Sequence, residues 1–192
     1  MTAWTQPRPD EADAGTRTAV SRRRNRTPGA LGWTAFLGEL DRTLEDLVRD
    51  RTGVAGLAMI AVDDGAGRMD PETADRVREA IGQRIAGRMR GGDVLGQGAD
   101  GAFVVLLRDC PEPALHVAAE RFRDTVSEEP VPLGDTLVQA TASVGVLLIP
   151  RHARDRETAL ARAAAALADA RAEAPGSIRL HDALPREERR QG

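Results

Sequence analysis

The sequence contains no lysine and no tyrosine, and its 192 residues include only two tryptophans, three phenylalanines and one cysteine. A single cysteine, Cys110, excludes an internal disulfide and a zinc site built from several cysteines. This cysteine usage predicts a reducing, cytoplasmic location. No apolar run reaches the roughly 18 residues that a membrane-spanning helix needs, which argues against a membrane protein. Because aromatic residues are scarce, we expect a core of Ala, Val, Leu and Ile.

The charged residues are unevenly distributed, although the net charge is only −3. Residues 1–30 carry +3 and residues 183–192 carry +1, so residues 31–182 carry −7. An acidic body argues against broad nucleic-acid binding by the folded part. The arginine cluster Arg22–Arg26 is of a type that contacts nucleic acid or anionic lipid weakly, and a solvated leader is the simpler interpretation.

The distribution of apolar residues divides the chain into three parts. Residues 1–29 are expected to form a disordered, arginine-rich tail, residues 30–182 one folded domain, and residues 183–192 a second disordered tail.

Hydrophobic periodicity and turn residues predict the element order helix, strand, helix, strand, strand, helix, strand, helix, strand. Asp70 and Pro71 are predicted to begin the second helix as N-cap and first helical residue, and Gly91-Gly92 to end it. Asp100-Gly101 predicts a hairpin turn in which both residues have positive φ. Residues 136–148 are predicted to form one long strand. The fold class is therefore α/β (α+β), with a ferredoxin-like β-α-β-β-α-β core and a mainly antiparallel central sheet flanked by helices.

Two short motifs stand at a fixed spacing in this order. Arg90-Gly91-Gly92-Asp93 is followed by five residues and then by Ala99-Asp100-Gly101-Ala102-Phe103, which leads into an apolar strand. This arrangement resembles the GGDEF domain of diguanylate cyclases over residues 30–182, and Thr141–Val146 and Ala163–Arg171 extend the resemblance.

The resemblance implies a nucleotide-cyclase-like fold and a defined chemistry. Members of the family join two GTP molecules across a dimer into cyclic di-GMP. Two divalent cations neutralise the triphosphates and help to activate the attacking oxygen. Their carboxylate ligands are an Asp at the end of the first strand and an acid in the signature hairpin.

The chain departs from the family pattern where this chemistry occurs. The two signature glycines correspond to Ala99 and Asp100, the metal-binding acid to Gly101 and the following Glu to Ala102. Asp63 remains as a vestigial metal ligand, and Asp100 would replace the lost acid only if the hairpin slipped by one residue. We therefore expect no catalytic residue and no required cofactor, with Mg²⁺ relevant only to residual GTP binding.

One binding motif of the family is retained. Arg90 and Asp93 match its Arg-x-x-Asp site for cyclic di-GMP, because an arginine forks onto phosphate or guanine and an aspartate accepts from guanine N–H groups. The alternative interpretation is a helix-end cation followed by a turn residue. Arg171 stands where the family has a phosphate-contacting lysine.

The sequence therefore predicts a catalytically inactive signalling protein that binds cyclic di-GMP, or else a ligand-free module that dimerises or docks on a regulatory protein. An active cyclase is the least favoured alternative. His116, His152 and His181 show no metal-ligand spacing, and nothing near Cys110 in the sequence supports a nucleophile.

Overall fold

The computed structural model describes residues 27, 29–50, 53–63, 69–98 and 100–181. The predicted tail residues 1–26 and 183–192, and with them the cluster Arg22–Arg26, lie outside this part, as does Ala99 of the hairpin. None of the described helices is long and apolar enough to cross a membrane. The elements are α1 (Trp33–Asp50), β1 (Ala55–Asp63), α2 (Pro71–Gly87), β2 (Val94–Gln97), β3 (Phe103–Leu107), α3 (Glu112–Ser127), β4 (Val131–Leu133), β5 (Thr136–Val138), β6 (Thr141–Ile149), α4 (Arg156–Glu173) and β7 (Ile178–Leu180).

Five strands form the central sheet, in the order β2-β3-β1-β6-β7. All neighbouring pairs are antiparallel except β6 and β7. The order β1-α2-β2-β3-α3-β6 is the predicted β-α-β-β-α-β core, and β7 extends it at one edge. Helices α2 and α3 cover one face, while α1 and α4 cover the other. The mixed fold with a mainly antiparallel sheet is thus confirmed.

Strand β1 shows why the sheet is covered on both faces. Ala58 and Ile60 face α2 and α3, whereas Leu57 and Met59 face α1 and α4, and all four are fully buried. Side chains alternate along a strand, so an uninterrupted apolar run needs a helix layer on each side.

Helix α4 lies directly on β6 at a glycine. A Cβ at Gly145 would stand only 2.2 Å from the Leu167 backbone nitrogen and 2.6 Å from the Ala163 carbonyl oxygen. The helix turns an alanine face to the sheet, formed by Ala159, Ala163, Ala166 and Ala170. This close packing explains the alanine content of the inner side of α4.

Helix α2 begins as predicted but ends earlier. The Asp70 side chain accepts a hydrogen bond from the Thr73 backbone N–H at 3.0 Å, with Pro71 at the start of the helix. The helix ends at Gly87, and the prediction that Gly91 and Gly92 end it was wrong. These two glycines instead lie in a separate turn, because the chain has already left the helix when it reaches them.

The predicted long strand over residues 136–148 is also wrong, because two strands occupy this segment. β5 turns back onto β4 through Gly134, which has φ +63°, and the two form a small sheet of their own. Strand β5 ends before Gln139, whose side chain donates to the Ser127 carbonyl at 2.9 Å. In the sequence, apolar and polar residues go on alternating through Gln139, so the end of the strand could not be recognised from this pattern.

The described contacts begin at Thr27, inside the segment predicted as a tail. Thr27 is 1% exposed and its side chain lies against Gly82 of α2. Its carbonyl accepts from the Ala30 N–H at 3.0 Å, and Leu31 donates to Leu95 at 2.8 Å. This segment therefore lines the outer edge of β2 ahead of α1.

Candidate functional site

The residues that the sequence singles out fall at opposite ends of the sheet. Strands β2 and β3 are antiparallel, so the start of β2 and the end of β3 share one end, with the Arg90–Asp93 turn and Cys110. The loop over residues 98–102 and Asp63, the last residue of β1, share the other. We call these the turn end and the hairpin end.

At the turn end, Arg90 and Asp93 are tied together by their backbones. The Asp93 N–H donates to the Arg90 carbonyl at 3.0 Å, and Asp93 Oδ2 accepts from the Arg90 N–H at 2.9 Å. The aspartate is thus held in place by its own turn while the Arg90 side chain is exposed. Among the described residues, the other carboxylate oxygen of Asp93 makes no hydrogen bond.

A second arginine belongs to the turn end. Burial raises the pKa of the Cys110 thiol, the Asp93 carboxylate raises it further, and Arg90 and Arg121 lower it. Both arginines and the aspartate therefore lie close enough to the buried Cys110 thiol to influence its charge. A raised pKa keeps Cys110 protonated and unreactive, which agrees with its predicted lack of a nucleophilic role.

The Arg121 side chain contacts an aromatic ring, but one of its buried donors has no hydrogen bond within the described residues. Its guanidinium carbon stands 5.4 Å from the centroid of the Phe122 ring. Its Nε is buried and makes no hydrogen bond within the described part of the chain. A buried donor without a partner is costly, and such groups are often found where a ligand binds.

At the hairpin end, the Asp63 carboxylate is already bonded to other groups of the protein. Its Oδ2 accepts from the Ser143 hydroxyl at 2.8 Å and from the Gly176 N–H at 3.3 Å. Its Oδ1 lies 3.7 Å from Arg171 Nε. The structure thus brings together Asp63 and Arg171, which the sequence had assigned separately to a metal and to a phosphate.

The loop of the hairpin differs from the predicted turn. Gly101 has φ +84°. The Gly101 N–H donates to Gly98 at 3.1 Å, and Gly98 donates to Ala102 at 2.9 Å, which makes a three-residue loop rather than a two-residue one. Asp100 Oδ1 accepts from the Ala102 N–H at 3.2 Å, so this carboxylate closes its own loop. Phe103, the last residue of the signature, is fully buried.

An arginine of α2 lies over the position of the lost signature acid. A Cβ at Gly101 would stand 3.0 Å from Arg78 Cδ and 3.1 Å from Arg78 Nε. Arg78 also forms an ion pair with Asp75 one turn earlier in α2. A guanidinium therefore fills space beside the hairpin, where a metal would need a carboxylate.

The donor set at the hairpin end does not fit a divalent cation. Such a cation takes several hard oxygen ligands, but only Asp63 remains near the family position and it already pairs with Arg171. No group of three or more potential metal ligands is found among the residues that the structure describes.

Sequence reasoning missed Arg78 and Arg121. Each is one of many arginines on an amphipathic helix, and its contact arises between elements distant in the sequence. The periodicity of α2 and α3 shows only that these positions lie off the buried stripe.

Comparison with known proteins places these observations in a family. The sequence model described as "Diguanylate cyclase, GGDEF domain" matches residues 33–176. A comparison with curated protein sequences gives no match.

Several solved structures are similar. The GGDEF domain of YfiN from Pseudomonas aeruginosa has 26% identity and a TM-score of 0.74, covering 81% of this chain and 98% of that one. SiaD from the same organism, solved with its activator SiaC, has 27% identity and a TM-score of 0.70 over 79% of this chain and 58% of that one. The coiled coil and GGDEF domain of DgcB from Caulobacter crescentus, solved with c-di-GMP, is alike in fold, with 19% identity and a TM-score of 0.67 over 79% of this chain and 81% of that one.

Proposed function

The chain belongs to the GGDEF domain family, and we propose that it is a member that makes no cyclic di-GMP but binds this dinucleotide at the turn end of its sheet. The observation that carries the proposal is the exposed Arg90 beside Asp93, whose carboxylate is held by its own turn. Arg121, whose buried Nε makes no hydrogen bond within the described residues, is the second donor at this end. The solved complex of DgcB with c-di-GMP supports the ligand class.

The three side chains suit a cyclic dinucleotide. Arg90 and Arg121 supply planar donors that fork onto a phosphate or the edge of a guanine. Asp93 offers a carboxylate oxygen to the N–H groups of guanine. Because the turn already fixes this carboxylate, little side-chain entropy is lost when a ligand binds.

The absence of cyclase activity follows from the hairpin end. Gly101 and Ala102 carry no charge, and Arg171 supplies the counter-charge of Asp63 that a metal would otherwise provide. Two triphosphates brought together without cations repel each other strongly. Purified protein incubated with GTP and Mg²⁺ or Mn²⁺ is therefore expected to form no cyclic di-GMP above a control without protein. Turnover that disappears in Asp63→Ala would contradict this assignment.

Calorimetry of cyclic di-GMP binding tests the site directly. Arg90→Ala and Arg121→Ala each remove charge-assisted hydrogen bonds worth about 1.5–3 kcal/mol. The dissociation constant should therefore rise roughly tenfold to a hundredfold. Asp93→Asn keeps an oxygen for the Arg90 N–H but replaces an acceptor by a donor, so it should weaken binding while leaving the turn intact.

Arg88→Ala is the matched control. Arg88 is exposed two residues before Arg90 and pairs with Glu128 at 3.4 Å, so the variant loses the same charge outside the site. It should bind like the wild type. Wild-type protein that releases no heat with high micromolar cyclic di-GMP would overturn the proposal, as would equal binding by all the variants.

A second candidate function is a ligand-free interaction module. The outer side of α4 carries exposed alanines one and two turns apart, namely Ala161, Ala165, Ala168 and Ala172. Small residues on an exposed helix face allow another helix to approach closely. SiaD, which was solved with a protein activator, supports a partner of this class. If the wild-type protein does not bind cyclic di-GMP in the calorimetry experiment, this second function is favoured.

A further inference from the structure

Two of the three histidines of the chain meet at one edge of the sheet. The rings of His152 and His181 have their centroids 5.7 Å apart and stand at 73° to each other. His152 lies in the loop between β6 and α4, and His181 directly follows β7. Their sequence separation hid this contact, because β6 and β7 become neighbours only in the folded sheet.

His152 is buried, and its imidazole ring accepts a hydrogen bond. It is 6% exposed, and its Nδ1 accepts a hydrogen bond from the Leu148 backbone N–H at 3.2 Å. The His152 backbone N–H donates to the Leu148 carbonyl at 2.8 Å, and the His152 backbone carbonyl accepts from Arg162 of α4. The neutral imidazole thus caps the Leu148 N–H at the end of β6, and a proton on Nδ1 would replace this acceptor by a donor.

His181 stands at the end of a weakly held strand. β7 pairs with β6 over only three residues, and the His181 N–H extends this ladder by donating to Val146 at 2.7 Å. No strand covers the other edge of β7 in the described sheet. Leu180 lines a cavity of about 380 Å³ together with Val146, Glu112 and His116.

The charges around His152 oppose its protonation. Burial lowers the pKa of His152 most, followed by His181 and Arg151, and Arg162 acts in the same direction. Glu112 of α3 acts in the opposite direction, but it is already paired with Arg151 at 2.6 Å. A proton on the His152 ring would therefore face mostly cations.

We propose that His152 and His181 form a proton-sensitive contact that holds β7 against β6 while His152 is neutral and loosens β7 when His152 is protonated. The contact couples acidification to the edge of the sheet and to the cavity that Leu180 lines. It is independent of the cyclic di-GMP site, since β7 lies at the opposite edge of the sheet from β2.

Amide hydrogen exchange of the full chain at pH 7.5 and 5.5 tests this contact. After correction for intrinsic exchange rates, protection of the Leu148 and His181 amides should fall below pH 6.5, by at most about tenfold per pH unit for each proton taken up on opening. Amides of the central strand β1 should lose protection only as far as the free energy of global unfolding falls. Unchanged protection of the Leu148 and His181 amides would overturn the proposal.

His152→Gln separates protonation from packing. Glutamine at this position still offers an oxygen to the Leu148 N–H but does not titrate, so the variant should lose most of the pH dependence. His116→Gln is the control, because His116 is 65% exposed and faces Glu120 at 3.6 Å. Protection that still depends on pH in His152→Gln, or that no longer depends on pH in His116→Gln, would refute the proposal.

A measurement on the wild type covers the case in which a variant fails to fold. The NMR titration of the histidine ring protons should place the pKa of His152 below the usual value of 6.5, because burial penalises its charged form. Titration of His152 at or above the usual value would overturn the proposal without any substitution.

Discussion

The two ends of the sheet carry similar residue types but use them differently. At the hairpin end, Asp63 is bonded by Ser143, Gly176 and Arg171, and Asp100 closes its own loop. At the turn end, the Arg90 side chain is exposed and Arg121 keeps a buried Nε without a partner within the described residues.

The difference shows that a charged side chain serves stability or ligand binding according to whether the protein itself supplies its hydrogen-bond partners. A carboxylate that receives several protein donors stabilises the fold and has little capacity left for a ligand. A donor that the protein leaves unsatisfied remains available to bind. Stability should therefore depend on the hairpin end, and nucleotide affinity on the turn end.

The largest effect is expected when Asp63 is removed. Asp63→Ala leaves the buried Ser143 hydroxyl and the Gly176 N–H without their acceptor, and hydrogen bonds to a charged group contribute about 1.5–3 kcal/mol. Urea denaturation should show a loss of about 2 kcal/mol in the free energy of unfolding, with cyclic di-GMP affinity unchanged. Asp93→Asn should give the reverse pattern. A stable Asp63→Ala variant with weakened binding would erase the distinction between the two ends.

Restoring the signature acid should destabilise the protein without creating a cyclase. Gly101 has φ +84°, and a side chain there meets Arg78 Cδ at 3.0 Å. We expect Gly101→Asp to cost about 1 kcal/mol, because a non-glycine residue is strained at this φ. Gly91→Asp adds the same charge in open space at the turn end and should leave the thermal midpoint nearly unchanged. Cyclase activity in Gly101→Asp alone would show that one carboxylate is sufficient.

Mild acid should weaken the fold through His152 rather than through Asp63 or the Arg90–Asp93 turn. The pKa of His152 is lowered in the folded state, so below about pH 6.5 the unfolded chain binds a proton that the folded chain excludes. The free energy of unfolding should therefore fall with pH, with a slope of at most about 1.4 kcal/mol per pH unit for one proton. Urea denaturation at pH 7.5 and 5.5 should give the same decrease for the wild type and Asp63→Ala. A smaller decrease in Asp63→Ala would assign the titration to the hairpin end.

The smallest effect is expected for Arg171→Ala. Its side chain is 59% exposed and its contact with Asp63 is long, at 3.7 Å. Such a partly exposed pair contributes up to about 1 kcal/mol, and salt should reduce its contribution. Arg49→Ala is the control, because Arg49 pairs with Asp46 where both side chains are more than half exposed. Thermal midpoints at low and high salt should separate the two variants, and identical behaviour would mean that Asp63 needs no counter-charge.

Local chemistry was sufficient to predict much of the fold. The N-cap at Asp70 and the apolar repeat of Val77, Ile81 and Ile85 each depend on residues within one or two helical turns, and the structure has both. The hairpin was predicted in the right place but with the wrong loop, because a three-residue loop also places a glycine at positive φ. Such choices between similar turns depend on how the flanking strands pack.

The sequence by itself determined the order of the core helices and strands, the mainly antiparallel sheet and the positions at which the signature acids are missing, but not the division of residues 136–149 into β5 and β6. Only the tertiary structure decided what the remaining charged residues do. Asp63 lies beside Arg171, and His152 beside His181, because the sheet brings separate strand ends and helices together. Periodicity describes which side of an element is buried, whereas an ion pair or a shared site depends on distances across elements, which no local pattern encodes.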